Sequence, residues 1–482
     1  MTTPLLLFSA WEVVAWWAYW VGLALSLCLV PVVLLSRRVP QAKVAWILAL
    51  LGFPWFTAVW YAAFGSRRLE RKVMRLRGGA ARSLEPIDKV HVETGLVSWR
   101  RSAGGQAVRD IVESVEHVGA HPPVPGNRFD ILSEGPVAFA SGQEAIQGAK
   151  DHVHLTTYIF KNDPTGRGVR AALEDACRRG VEVRVLYDGL GTLETSSEFF
   201  DPVTRAGGKV ASFLPFRPFA HGLRVNFRNH RKLLVVDGRV AFTGGMNIGD
   251  EYATGRNWRD LHARLEGPVV PTLQRVFAED WLFATEELLG DERWYRRVPP
   301  AGDTDVQVVD SGPDQEDPAA EEMMFGALAA ARKCVDIATP YLVPTEPMEH
   351  ALVSAARRGK RVRILLGDVV DHRVVRWATD AYLPRLMGAG VEIWRHPMML
   401  HSKAVIVDGA WATLGSTNLD MRSLRLNFEL NVAFPQVEAA KRLTAWFETE
   451  LAASRLVQPA ELECGTMVKL ARQAAYLFAP VL

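Results

Sequence analysis

The string HRKLLVVD at residues 230–237 returns at residues 401–408 as HSKAVIVD. In both copies the histidine, lysine and aspartate keep the same offsets. A glycine and an asparagine also follow at matched distances, in GGMN at residues 244–247 and in GSTN at residues 415–418. A single HxK string carries little information. Two copies with five matched positions each predict a duplicated unit that performs one chemical task.

The sequence around the two strings is duplicated as well. VHLTTYIF at residues 153–160 has its counterpart in VDIATPYL at residues 335–342, and both are typical of buried strands. Each is followed by a helical stretch that ends in RRG, at residues 178–180 and 357–359, where the glycine suits a helix end before the next strand. A long period built from strand, helix and strand predicts duplicated α/β domains, with mixed sheets flanked by helices, rather than a solenoid.

Composition excludes several classes of protein. The chain has 482 residues, of which 49% are hydrophobic and 23% charged, so it is neither disordered nor collagen-like. The formal net charge of +2 gives no bulk attraction for nucleic acid. Four scattered cysteines without a CxxC pair indicate neither a zinc site nor a disulfide framework, and we expect no metal.

The candidate catalytic residues are His230, Lys232 and Asp237 in the first copy and His401, Lys403 and Asp408 in the second. In an extended strand, residues two apart share a face, so the histidine and lysine of each copy are expected side by side. The aspartates have the opposite parity and precede glycines, which predicts hairpin turns and a supporting role.

Paired lysines and asparagines suit a phosphoryl group. Lysine binds phosphate as a point charge and an asparagine amide donates hydrogen bonds, so we expect Lys232, Lys403, Asn247 and Asn418 to hold phosphate oxygens without a metal. One histidine can then attack phosphorus while the other protonates the departing oxygen. By contrast, lone histidines in apolar strands, such as His152 and His154, are usually satisfied core residues.

Two carboxylates follow the motifs at similar distances. Asp260 lies 23 residues after Asp237, and Glu429 lies 21 residues after Asp408. Each is a candidate to accept a hydrogen bond from a catalytic imidazole and to fix its tautomer. A surface salt bridge is the alternative reading of both.

The N-terminal region has the composition of a membrane anchor. Residues 13–35 and 44–64 are uncharged runs of 23 and 21 residues, each long enough to span a bilayer as a helix, and they predict a two-helix transmembrane hairpin. A cleaved signal peptide is the alternative for the first run. The larger group of basic residues follows the second run, at 67–77, which places the bulk of the chain in the cytoplasm.

These motifs resemble those of the phospholipase D superfamily and, within it, of the bacterial cardiolipin synthases. The strings that carry the resemblance are YIF at 158–160, NHRK at 229–232, GGMNI at 244–248, WRD at 258–260, SGP at 311–313, TPY at 339–341, NLDMRS at 418–423 and NFE at 427–429. The resemblance implies transfer of a phosphatidyl group between two phosphatidylglycerol molecules through a phosphohistidine, giving cardiolipin and glycerol. We assign His230 as nucleophile and His401 as acid, although the symmetric sequence does not decide between them.

The resemblance also implies an organisation and partners. We expect a hairpin at residues 1–78, a connector at 79–126, a first phospholipase D-like domain at 127–295 and a second at 296–482 with an apolar tail. The expected enzyme is a multi-pass protein of the bacterial inner membrane that needs no cofactor, takes phospholipid substrates and is compatible with homo-oligomers. Phe213 to Phe219 and the tail from Leu470 are candidate membrane contacts, with buried packing as the alternative.

Three other functions remain open from the sequence. One is a membrane-bound phospholipase D, or a phosphatidyltransferase with another donor or acceptor such as phosphatidylethanolamine. The second is a nuclease with the same site, against which the two apolar runs and the lack of a basic stripe argue. The third is an inactive lipid-binding scaffold, which the two intact motifs disfavour.

Overall fold

The computed structural model describes residues 10–36, 40–64, 105–215, 227–256 and 258–477. The chain forms two compact units, which are Met1–Arg71 with Phe216–Arg224 and Lys72–Pro215 with Val225–Leu482. The basic cluster at 67–77, residues 216–219 of the candidate membrane loop and the last five residues of the tail lie outside the described residues.

The N-terminal unit is helical. Its helices are α1 (Ala10–Leu34), α2 (Pro40–Gly52) and α3 (Pro54–Phe64). Among the described residues, α1 alone is long and apolar enough to cross a membrane, and most of its apolar side chains are exposed. The second apolar run is divided at Phe53, because Pro54 has no N–H to continue the helical hydrogen bonds. The two-span hairpin therefore remains a prediction.

A single large mixed sheet runs through the second unit and joins the two halves. The strands are β1 (Val124–Leu132), β2 (His152–Thr157), β3 (Glu182–Asp188), β4 (Lys209–Phe213), β5 (Leu233–Val236), β6 (Val240–Gly244), β7 (Trp258–Arg259), β8 (His262–Glu266), β9 (Thr304–Ser311), β10 (Cys334–Ala338), β11 (Leu342–Val343), β12 (Arg361–Gly367), β13 (Glu392–His396), β14 (Met399–Leu400), β15 (Ala404–Val407), β16 (Trp411–Gly415), β17 (Leu419–Asp420), β18 (Glu429–Phe434) and β19 (Arg455–Leu456). The order of strands in the large sheet is β19-β13-β12-β10-β15-β16-β18-β9-β1-β8-β6-β5-β2-β3-β4, and two short pairs, β11 with β17 and β14 with β7, lie outside it.

The duplication is visible in the strand pairing. In the first half β2 pairs in parallel with β3 and antiparallel with β5, and in the second half β10 does the same with β12 and β15. The halves join where β1 pairs antiparallel with β9. The predicted duplicated α/β fold is therefore confirmed, and the two halves share one continuous sheet.

Helices cover the sheet in both halves. They are α4 (Gln106–His117), α5 (Gly135–Gly148), α6 (Pro164–Arg178), α7 (Asp201–Arg205), α8 (Asp250–Ala253), α9 (Val270–Thr285), α10 (Ala319–Ala330), α11 (Glu346–Arg357), α12 (Arg373–Gly388), α13 (Met421–Arg425), α14 (Val437–Ala452) and α15 (Thr466–Leu477). Helix α4 and the start of β1 lie within the predicted connector. Val108 and Ile111 of α4 belong to the apolar core of the second half. The division into domains stays a prediction.

The aspartates of the two motifs shape the hairpins that position the site. Asp237 and Asp408 begin the turns after β5 and β15, at φ 53° and 56°, and each is followed by a glycine with positive φ. Each carboxylate accepts three backbone N–H groups where the neighbouring strand begins, from residues 150–152 at β2 and from residues 332–334 at β10. The hairpins thus match the sequence prediction, and the aspartates lie at the opposite end of their strands from the histidines.

Candidate functional site

The histidines and lysines of the motifs lie in extended segments just before β5 and β15. The sequence pattern placed them inside these strands, but the strands begin only at Leu233 and Ala404. Each histidine segment pairs with the other half instead: β14 pairs in parallel with β7, and Asn229 forms a bridge with Phe428. This exchange between halves takes the two segments out of the main sheet.

Backbone hydrogen bonds fix both histidines to the opposite half. The N–H of His230 donates to the carbonyl of Phe428 at 2.9 Å, and the N–H of His401 donates to the carbonyl of Arg259 at 2.7 Å. Phe428 and Arg259 directly precede the carboxylate residues Glu429 and Asp260. The crossing therefore brings each carboxylate to the histidine of the other half.

Each imidazole contacts its carboxylate through Nδ1. In His230 this atom lies 3.0 Å from Oε2 of Glu429, and in His401 it lies 2.7 Å from Oδ2 of Asp260. Asp260 is 4% exposed and Glu429 is fully buried, which excludes the surface salt bridge considered from the sequence. With Nδ1 directed at a carboxylate, Nε2 is the ring nitrogen left for chemistry.

The two carboxylates are held by different neighbours. The Ser416 hydroxyl donates to Glu429, and the Asn427 amide donates to it at 3.2 Å. The equivalent of Ser416 in the first half is Gly245, where a Cβ atom would lie 2.1 Å from Oδ1 of Asp260. The first half thus needs a glycine at this position because Asp260 approaches the backbone so closely.

The motif lysines are buried beside their histidines. The Lys232 ammonium donates to the backbone carbonyl of His230 at 2.5 Å, and the Lys403 ammonium donates to the carbonyl of His401. Lys403 Nζ also lies 2.8 Å from Nδ1 of His401. Since Nδ1 of His401 is closer to Asp260, we assign its proton to the hydrogen bond with that carboxylate.

Burial shifts the titration of the basic groups towards their neutral forms. Desolvation, together with nearby lysines, lowers the pKa of His230 to about 4 and also lowers the pKa of His401. Desolvation likewise lowers the pKa of Lys232 to about 7 and that of Lys403 to about 8. Both imidazoles are therefore neutral near pH 7 and able to act as nucleophile or base.

The two carboxylates remain ionised. Burial opposes ionisation of Glu429, but its contacts with His230 and Lys232 hold its pKa below the usual range. Burial opposes ionisation of Asp260 in the same way, and His401 and Lys403 hold its pKa low. Below pH 7 two ammonium groups thus balance the two anions, and above it Lys232 and then Lys403 lose their charge.

One cavity of about 500 Å³ is lined by both histidines and by both asparagines that follow the motifs. Asn247 and Asn418 lie just after β6 and β16 rather than within a strand. The Asn247 amide donates to the Tyr252 hydroxyl at 2.9 Å, while Oδ1 of Asn418 has no hydrogen-bond partner among the described residues. The predicted binding of phosphate by these amides remains a prediction.

Three tyrosines that were not singled out as site residues line the same cavity. The Tyr158 ring meets the His230 ring edge-on at 5.0 Å, and the Tyr252 ring meets that of His401 at 5.3 Å. The third, Tyr341, donates to Asp371 at 2.5 Å. Tyr158 belongs to the string YIF and Tyr341 to the string TPY, so the resemblance to the family could have identified both as site residues.

The other titratable groups discussed from the sequence lie apart from the cavity lining. His154 stacks on Phe277 at 4.5 Å, and the Gln274 amide lies at hydrogen-bond distance from it, as expected for a core histidine. His152 is also fully buried, but neither of its ring nitrogens has a hydrogen-bond partner among the described residues, so it is a core histidine without the hydrogen bonds expected from the sequence. Among residues 10–36, 40–64, 105–215, 227–256 and 258–477, no group of three or more His, Cys, Asp or Glu side chains is arranged to hold a metal ion.

Comparison with known proteins gives consistent results. Residues 143–281 and 324–451 match the family described as "Cardiolipin synthase, PLD-like domain". The chain is 32% identical to the major cardiolipin synthase ClsA of Bacillus subtilis, over 94% of this chain and 96% of the relative. It is 33% identical to the cardiolipin synthase of Geobacillus thermodenitrificans, over 86% of this chain and 83% of the relative.

A solved structure shares the fold. The phosphatidylserine synthase of Haemophilus influenzae superposes with a TM-score of 0.61 at 14% identity, covering 78% of this chain and 100% of that structure. At this level of identity the likeness concerns the arrangement of helices and strands.

Proposed function

The chain belongs to the family of cardiolipin synthases with phospholipase D-like domains, and from this premise we propose that it transfers a phosphatidyl group between two phosphatidylglycerol molecules. The products are cardiolipin and glycerol. The observation that carries the proposal is that His230 and His401, from different halves, line one cavity and are each held at Nδ1 by a buried carboxylate.

In the first step Nε2 of His230 attacks the phosphorus of the first phosphatidylglycerol. A phosphorus–nitrogen bond forms and the bond from phosphorus to the headgroup glycerol oxygen breaks. The negative charge of the bound phosphodiester favours protonation of His401 at Nε2. His401 donates this proton to that oxygen, and glycerol leaves. Asp260 supports the protonated form of His401 at this point, because it accepts the hydrogen bond from Nδ1.

In the second step His401 acts as base. It takes the proton from a glycerol hydroxyl of the second phosphatidylglycerol, whose oxygen attacks phosphorus and breaks the bond to His230. The number of phosphodiester bonds is unchanged over the cycle, so the exchange requires no nucleotide. In this mechanism Lys232 and Lys403 offset the negative charge on the phosphoryl oxygens.

The assignment of His230 as nucleophile rests on its titration. Its pKa of about 4 keeps the attacking nitrogen unprotonated across the physiological range. Burial lowers the pKa of His401 as well, but its carboxylate, at 2.7 Å, opposes this lowering, so that the negative charge of a bound lipid phosphate can protonate it for its role as acid.

We further propose that the enzyme works at the inner membrane of a bacterium as a multi-pass protein, with the second unit in the cytoplasm. The exposed apolar surface of α1 supports membrane insertion. The six basic residues at 67–77 support the orientation.

Product analysis tests the reaction. Purified full-length protein is incubated with phosphatidylglycerol in vesicles, and lipids and free glycerol are measured. We expect cardiolipin and glycerol in equal amounts. Phosphatidic acid as the only product would assign hydrolysis, and turnover only after phosphatidylethanolamine is added would assign another donor or acceptor.

A trapping experiment tests the roles of the histidines. With radiolabelled donor and rapid denaturation, His401→Ala protein is expected to retain a phosphorylated histidine and His230→Ala protein to lack one. His117→Ala, at the end of α4, is the matched control and should behave as wild type. The reverse pattern between the two site variants would exchange their roles.

A further inference from the structure

We propose that an arginine-rich cavity between α12 and α15 binds the phosphate of an anionic phospholipid headgroup and thereby docks the second unit on a bilayer. The cavity has a volume of about 300 Å³. Its lining, named here the arginine cavity, consists of Asp368, Val370, Arg373, Arg376, Trp377, Asp380, Val468 and Arg472. The inference goes beyond the proposed reaction, since it concerns a site without either motif.

Positive charge exceeds negative charge in this cavity. Asp380 is shared by three guanidinium groups, from Arg376 at 3.1 Å, Arg395 at 2.8 Å and Arg472 at 3.2 Å. Asp368 lies 3.5 Å from Arg455, which also pairs with Glu461. Among the residues that line the cavity there are thus three arginines and two aspartates, a surplus of one positive charge.

Part of this charge has hydrogen-bonding capacity left for a ligand. Among the described residues Arg373 makes no ion pair, and it lies exposed at the first turn of α12. Guanidinium groups with free N–H donors match the oxygens of a phosphate.

Apolar side chains surround the arginine cavity. In the described part of the second unit, fourteen large apolar side chains are exposed, and eight of them lie in residues 369–377 or on α15. These eight are Val369, Val374, Trp377, Met467, Val468, Leu470, Tyr476 and Leu477. Exposed apolar groups beside a cationic cavity fit the boundary between headgroups and acyl chains, where both kinds of group are satisfied.

The arginine cavity adjoins the catalytic cavity. Arg373 lines both of them, and His372, which precedes it, lines the catalytic one. A bilayer lipid held at Arg373 would therefore place the mouth of the catalytic cavity next to the membrane surface. This position suits an enzyme whose substrates diffuse within a bilayer.

Hydrogen exchange of the full-length protein in nonionic detergent tests the proposal without turnover. The probe is dihexanoylphosphatidylserine, a soluble anionic phospholipid, with dihexanoylphosphatidylcholine for comparison. We expect the anionic lipid to slow exchange in residues 466–477 and the zwitterionic lipid to leave it unchanged. Arg373→Gln should raise the half-saturating lipid concentration about fivefold, the equivalent of about 1 kcal/mol for one arginine at an anionic surface.

Control variants separate the site from general effects. Arg357→Gln removes an exposed arginine at the end of α11 and should leave the titration unchanged. Met467→Ser combined with Leu470→Ser removes exposed apolar contacts from α15 and should abolish the protection. His230→Ala should retain it, so that loss of the proposed reaction and loss of this site are told apart.

Three results would overturn the proposal. Equal protection by both lipids would remove the role of the anionic headgroup. Equal protection by inorganic phosphate alone would make this a site for free phosphate. Protection that follows protein concentration without lipid would assign the surface to a second copy of the chain.

Discussion

Substitution of Gly245 by alanine tests whether the carboxylate beside His401 must keep its place. A Cβ atom at residue 245 would lie 2.1 Å from Oδ1 and 2.8 Å from Cγ of Asp260, whereas ordinary contacts begin at 3.4 Å. The carboxylate would therefore have to move by about 1.3 Å, the difference between 3.4 and 2.1 Å. Its hydrogen bond to His401, now 2.7 Å long, is lost or bent by a movement of this size.

The expected result is a fall in kcat of about 100-fold, because misplacement of a catalytic group by about 1 Å has an effect of that order. KM for phosphatidylglycerol should change little, since the lysines and His230 keep their positions. The assay is initial-rate formation of cardiolipin in mixed micelles. A second substrate, phosphatidyl-p-nitrophenol, has a leaving group that departs without a proton, so its burst of p-nitrophenolate should remain fast.

Gly142→Ala is the matched control. Gly142 lies within α5, and a Cβ atom there would meet only Leu234 Cδ2, at 3.7 Å. This variant should keep wild-type kcat and unfold at the same or a slightly higher temperature. Wild-type kcat in folded Gly245→Ala protein would refute the reasoning, as would an equal loss with both substrates, since the defect would then not lie in proton transfer.

Three further predictions follow from the same site. Asp237→Ala removes an acceptor of three backbone N–H groups, so it should lower the free energy of unfolding, measured in a thermal melt, by about 1–3 kcal/mol. The kcat per folded molecule should stay unchanged, and a large loss of kcat would instead give the aspartate a catalytic role. The value of kcat/KM, measured from pH 4 to 9, should fall at low pH as His230 is protonated near pH 4. It should also fall towards high pH, as the acid His401 loses its proton and as Lys232 (pKa about 7) and Lys403 (pKa about 8) lose their charge; a flat profile above pH 7 would contradict these assignments. Lys232→Met should abolish activity yet raise the unfolding temperature, because desolvation lowers the pKa of Lys232 in the folded state to about 7 from 10.5. The gain in stability should be full below pH 7 and should shrink towards pH 10.5, where the lysine of the unfolded state also loses its proton. A loss of stability at pH 6 would show that the buried ammonium stabilises the fold.

The features that could be predicted from the sequence are those that a local pattern encodes. The repeated strand, helix and strand, and the turns at Asp237 and Asp408, follow from the spacing of apolar residues and from an Asp-Gly pair, and both are confirmed. The burial of His154 follows from its place in an apolar strand. Each of these requires knowledge of only a few neighbouring residues.

The features that could not be predicted depend on pairing between distant segments. Nothing local in residues 258–260 indicates that they pair with residues 399–400. The sequence therefore predicts Asp260 and Glu429 as hydrogen-bond acceptors, but not which histidine each of them binds. The start of β5 at Leu233 has the same cause, because the preceding segment pairs with Phe428 of the other half. The break at Phe53 is different, because a proline such as Pro54 is tolerated inside a membrane helix and the sequence therefore predicts one continuous second span.

The exchange of carboxylates explains why both halves must be present in one folded unit. Arg231, between the histidine and lysine of the first motif, is fully buried and donates to Asp280 at 2.8 Å in its own half and to Asp310 at 3.3 Å on β9. Its Nε also donates to the backbone carbonyl of Glu429 at 3.1 Å. The second motif has Ser402 at this position, so only the first histidine segment is held by a buried arginine. Arg231 thus ties the segment of His230 to the backbone of Glu429, which helps to orient the imidazole that we propose as nucleophile. The proposed asymmetry of roles therefore has a structural counterpart in the motif position where the halves differ most in charge and size.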